Sequence, residues 1–187
     1  MLTPLGGTMV GGASSGRVSA DGTFKLANVF PDRYYLNVLG LPDGAYIKSV
    51  KLANQDVLSR GIDLANFGAG GVLDVSISLK AATLEGTVAS GDSPGTGSTI
   101  VVLPDPPRPG QPYLAKTTMA DQDGRFAIRG LAPGGYKVYA FEDAMPGLTQ
   151  NPGLAGPYEH RAVKVDLDES AREQVELKAL NAGDARR

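Results

Sequence analysis

The chain has 187 residues, 42% of them hydrophobic, a formal net charge of −2, no Cys and one His. That is length and apolar content for one large domain or two ordinary ones, each able to bury a core. The missing Cys excludes disulfide frameworks, thiolate metal sites and Cys nucleophiles. The lone His160 excludes multi-His zinc sites and argues against a Ser-His-Asp triad, and the near-neutral charge argues against nucleic acid.

Residues 1–12 lack the basic start and apolar run of a signal peptide, and no stretch approaches the ~18 apolar residues of a membrane span. Residues 6–16 are Gly/Ser-rich and read as a flexible segment. Asp21-Gly22 then marks a hairpin turn, because Gly takes positive φ without steric cost. Phe24 and Leu26 follow two residues apart, the spacing that sends side chains to one face of a strand. Pro31-Asp32-Arg33 is a second turn, and Tyr34, Leu36 and Val38 alternate with Tyr35, Asn37 and Leu39 as a second strand. The Gly-rich run 68–71 precedes a strand rather than a helix, so it reads as linker and not as a phosphate loop. Leu73, Val75, Ile77 and Leu79 form the next alternating strand, and a domain boundary falls at Lys80-Ala81-Ala82.

The second half continues the pattern. Leu84, Gly86 and Val88 alternate with Glu85 and Thr87; Ile100 to Leu103 is a short buried strand ended by Pro104. The proline-rich residues 104–112 cannot donate regularly to a sheet and read as an exposed, stiff connection. Asp123-Gly124-Arg125-Phe126-Ala127-Ile128 repeats Asp21-Gly22-Thr23-Phe24-Lys25-Leu26 at an offset of 102, and Pro133 and Tyr136 repeat Pro31 and Tyr34 at the same offset. A period this long suits two copies of a whole domain. Residues 143–158 read as a long crossover with a short helical turn near Asn151. Val163, Val165 and Leu167 alternate, and residues 168–180 are read as a closing strand, with a terminal helix as the rival.

Asp123-Gly124-Arg125-Phe126 followed by Pro133-Gly134-Gly135-Tyr136 resembles the carboxypeptidase regulatory-like domain. The resemblance implies an all-β architecture: two tandem Greek-key sandwiches of the immunoglobulin or transthyretin type, residues 1–80 and 81–187. It places Leu2-Thr3-Pro4 at the end of the second strand of the family. Nothing before it matches Leu84–Val88, so the first domain is expected to be N-terminally truncated, with an open sheet edge prone to pairing. The resemblance also implies a non-catalytic accessory or interaction module of a larger bacterial envelope or secreted protein, outside the cytoplasm. A carbohydrate-binding module is the alternative, and a peptidase-associated regulatory domain the second.

Candidate sites follow from chemistry. Tyr139 and Phe141 can offer a flat apolar surface to a sugar ring, with Glu142 and Asp143 as hydrogen-bond acceptors; the competing reading packs both rings beneath the crossover. The partner is then a polysaccharide or a protein. Adjacent carboxylates on a strand face opposite sides, so Glu142 and Asp143 do not make an acid/base pair. Asp121-Gln122-Asp123-Gly124 resembles a piece of a calcium loop but lacks the Glu that would complete it, so a plain turn is expected. Tyr34 and Tyr136 read as corner tyrosines bonded to backbone, and His160 as a surface residue. No catalytic set, metal site or cofactor is expected.

Overall fold

The computed structural model describes residues 1–5, 13–65, 71–143, 146–149, 151–181 and 184–185. Residues 6–12 of the flexible segment and 68–70 of the Gly-rich run lie outside them. The chain is all-β, with fourteen strands and two 3-10 segments among the described residues. It forms two compact units. Unit 1 comprises Met1–Pro42, Ile47–Ile77 and Arg108–Gln111; unit 2 comprises Asp43–Tyr46, Ser78–Pro107 and Pro112–Arg187. The segment 104–112 is therefore not wholly the exposed connection expected. Pro106 and Pro107 are exposed, but Gly110 and Gln111 are buried and belong to unit 1.

In unit 2, strands β7 (Ala82–Ser90), β11 (Arg125–Leu131) and β14 (Arg172–Leu180) make one layer. The short β8 (Ser93–Pro94) folds back on β7. Strands β9 (Thr99–Pro104), β10 (Lys116–Met119), β12 (Gly134–Phe141) and β13 (Val163–Leu167) make the other. The layers join where β12 passes to β14 in parallel, at Ala140↔Ala179 and Phe141↔Leu180. Strands β9 and β12 are neighbours although two strands separate them in sequence, which is the Greek-key crossing. Leu84, Ile100, Val102, Phe126, Leu131, Val138 and Leu177 fill the space between the layers, all of them buried. Each such side chain contributes roughly 1.5–3 kcal/mol against chain entropy. Residues 172–180 form a strand because β7 and β12 present open edges to them and Val175 and Leu177 face the core; their helix propensity is overridden. Lys116 of β10 donates through Nζ to the carbonyls of Arg129 (3.0 Å) and Gly130 (2.8 Å), tying the two layers at the opposite side.

In unit 1, β1 (Leu2–Pro4), β2 (Arg33–Leu36) and β5 (Ile62–Asp63) form one sheet. The bodies of β3 (Tyr46–Leu52) and β6 (Leu73–Ser78), with β4 (Gln55–Asp56), form a second.

The repeat survives as physical structure at its corners. Tyr34 Oη donates to the carbonyl of Phe30 at 3.0 Å, and Tyr136 Oη to that of Ala132 at 2.8 Å, the same four-residue reach. Pro4 faces Tyr34 across β1 and β2, as Pro104 faces Tyr136 across β9 and β12. The Gly22 amide donates to Ser19 O at 3.0 Å and the Gly124 amide to Asp121 O at 3.0 Å, both glycines at positive φ (82° and 74°). Asp121 Oδ1 accepts the amides of Asp123 (2.9 Å) and Arg125 (2.8 Å), so this carboxylate serves the turn.

Beyond the turns the copies diverge. Phe126 and Ile128 lie in β11 and are buried. Among the described residues Phe24 makes only an isolated bridge to Val18, and Phe24 and Leu26 are half-buried. The expected first-copy strand does not extend because, among the described residues, no neighbour runs beside it as β7 runs beside β11. Val18, Phe30, Leu39, Val72 and Ile77 of unit 1 are exposed apolar residues.

Gly86 sits in the middle of β7. A Cβ there would lie 2.9–3.0 Å from the Phe126 ring and would collide with the carbonyl of Val175. Gly86→Ala should therefore lower the stability of unit 2 by about 1–3 kcal/mol, and Tyr136→Phe by about 1 kcal/mol. Urea unfolding midpoints of the full chain measure both.

Candidate functional site

Strand β12 carries the sequence-expected group, and the structure does not bring it together as a binding surface. Tyr139 and Phe141 are only 3% and 2% exposed. Their rings stack at 6.0 Å with an interplanar angle of 15°, and Tyr158 meets Phe141 edge-on at 5.2 Å. Tyr158 comes from the 3-10 segment Pro152–Arg161, which begins beside the Asn151 named in the sequence reading. That segment, with Leu148, lies over the rings and covers the face a sugar would need. The reason is packing: two large rings on the outer side of β12 are held better by a covering segment than by water. Burial also pushes the Tyr139 hydroxyl above its ordinary pKa. Glu142 and Asp143 stay exposed at the strand end, where Glu142 Oε1 accepts the Ser90 hydroxyl at 2.8 Å. Rings and carboxylates thus face different environments.

The covering segment is held by charge. Lys137 Nζ donates to Glu159 Oε1 at 2.6 Å and pairs with Asp105 Oδ1 at 3.2 Å; Lys164 stands 3.9 Å from Asp105 Oδ2. The hydrogen bond between Lys137 and Glu159 raises the pKa of the ammonium and lowers that of the carboxylate. Each is thereby kept charged at neutral pH. His160 is exposed.

Sequence reasoning missed the outer face of β11-β7-β14. The register sets three rows across these strands: Arg129–Thr83–Arg172, Ala127–Glu85–Gln174 and Arg125–Thr87–Glu176. Arg125, Arg129 and Arg172 are exposed, and their side chains make no ion pair or hydrogen bond among the described residues. Beside the third row lies an open groove of about 510 Å³, whose lining includes Glu85, Thr87, Asp121, Arg125, Phe126 and Gln174. The signal was present as the polar phase of three alternating strands. Alternation tells which side chains point outward; it does not tell that β7 and β14 are neighbours.

No protein-family model matches the chain, and no curated protein matches it. Among solved structures it is similar to a DUF3823 family protein from Parabacteroides merdae (19% identity, 52% of this chain, TM-score 0.35). It is also similar to a candidate carbohydrate-binding protein from Pseudomonas aeruginosa (13% identity, 53% of this chain and 88% of that one, TM-score 0.35). A third is BcpA, the major pilin subunit of Bacillus cereus (10% identity, 73% of this chain and 57% of that one, TM-score 0.36). The match spans 45% of the length of the Parabacteroides protein. At these scores the likeness carries no weight for function.

A pH response follows from the Lys137–Glu159 pair. The Glu159 pKa is depressed below its ordinary 4.5, so the stabilisation is full above that value and disappears as pH falls through the folded-state value. Lowering pH from about 6 to about 3 should loosen segment Pro152–Arg161 and weaken the near-ultraviolet dichroism of Tyr139 and Tyr158. In Glu159→Gln this pH step should shrink.

Proposed function

We propose that the chain is a non-catalytic β-sandwich accessory module of a larger envelope or secreted protein, working outside the cytoplasm. Unit 2 presents the outer face of β11-β7-β14 to an acidic partner, in the first instance a carboxylated polysaccharide. The observation that carries this reading is the set of exposed arginines in register, Arg129 and Arg172 flanking Thr83 with Arg125 two rows away, none of them in an ion pair or side-chain hydrogen bond among the described residues. Planar guanidinium groups match carboxylates in bidentate geometry. Glu85, Thr87 and Gln174 supply hydroxyl-compatible donors and acceptors between them. The polar groups of β12 and the Asp-Gly turns are committed to holding the fold, which supports an accessory role over a catalytic one. The corner hydrogen bonds shared by Tyr34 and Tyr136 support kinship with carboxypeptidase regulatory-like domains.

Single exposed charge contacts are worth ~0.2–1 kcal/mol, so affinity must come from several along one polymer. The chain should be retained on immobilised polygalacturonate at low salt and released as salt rises, with no retention on a neutral glucan. Arg129→Ala/Arg172→Ala should weaken retention about tenfold without moving the unfolding midpoint. Equal retention of the variant and its parent, or no retention on either matrix, overturns the reading.

A further inference from the structure

We infer that unit 2 is a load-bearing module whose resistance to tension resides in the parallel pairing of β7 with β14. The first long strand of the unit and its last run side by side in the same direction, in register from Arg172↔Thr83 to Lys178↔Ala89. When the chain is pulled at the start of β7 and the end of β14, the two strands are drawn past each other along their length. Every hydrogen bond of the ladder then takes load at once, and the unit yields only when they fail together. Had the two been antiparallel, the same pull would open them one pair at a time.

The structure reinforces both ends of this ladder. Where β7 begins, the Thr83 amide donates to Ala171 O at 2.9 Å and the Ser170 amide to Lys80 O at 2.9 Å. There Tyr46 Oη donates to Glu169 Oε1 at 2.6 Å, bracing the turn before β14. Where β14 ends, it pairs in parallel with β12 at Ala140↔Ala179 and Phe141↔Leu180, and the Glu142 amide donates to Leu180 O at 3.0 Å. Strand β14 is thus gripped from both neighbours. Leu84, Val88 and Leu177 are buried on the inner side of the ladder and keep water from that side of the bonds. Gly86 lets β7 lie close against Val175 and Phe126 at the middle of the ladder.

This inference deepens the accessory-module reading, and the two fail separately: polysaccharide retention tests the outer face, and force tests the ladder. Since the chain has no Cys, introduced thiols are unambiguous handles. In the full chain, Lys80→Cys/Asn181→Cys loads the ladder along its length, whereas Thr83→Cys/Arg172→Cys pulls directly opposed partners apart. Circular dichroism confirms that both variants fold. In single-molecule pulling at one loading rate, rupture along the ladder should need about twofold or more of the force needed to peel it. It should release in one step roughly 30–35 nm of chain, the contour of the residues between the handles. Equal forces for the two geometries, or a first step far shorter than that contour with β14 peeling away alone, overturns the inference.

Discussion

Strand β7 is held from both sides, by β11 and by β14, and the rest of unit 2 is arranged around that pairing. Its inward side chains Ala82, Leu84 and Val88 are almost wholly removed from water. Its middle residue is Gly86, where any side chain would strike the neighbouring strand and the Phe126 ring. With β7 in place, Phe126 and Ile128 have a partner strand and a core to enter. Their counterparts Phe24 and Leu26 have neither among the described residues, and the same sequence motif stays half-buried with one bridge to Val18. A strand is made by its neighbours as much as by its own alternation.

That contrast shows what the sequence made legible. The Asp-Gly turns and the corner tyrosines are local: a glycine at positive φ and a hydroxyl reaching back four residues need no distant partner, and both copies have them. The closing strand, expected over 168–180 and observed over Arg172–Leu180, was readable from Val175, Leu177 and Ala179, although its composition favours helix, because a sandwich must cover its edge. Strand neighbours were not readable. Tyr139 and Phe141 alternate correctly on β12, but whether their outer face meets water or a covering segment depends on where residues 152–161 fold. The ion pair beside them, Lys137 with Glu159, joins residues from separate elements. The outer arginines were hidden for the same reason, since their grouping exists only after β11, β7 and β14 are set side by side.

The functional reading and the mechanical one meet on β14. Its outward side chains Arg172, Gln174, Glu176 and Lys178 belong to the exposed polar face, and its inward Val175 and Leu177 belong to the core. A polymer bound to the outer face would pull on the strand that is clamped in parallel on both sides. The proposed binding surface and the proposed load path lie on two faces of one element, a consequence of the two-residue period of a strand.

The account depends most on the non-equivalence of the two copies of the Asp-Gly motif. Native-state amide hydrogen exchange of the full chain reads it directly. Amides of β7 and of residues 172–178 should be among the slowest to exchange, those of residues 125–128 nearly as slow, and those of residues 23–26 fast. Protection of residues 23–26 equal to that of residues 125–128 would contradict the account, as would rapid exchange along β7.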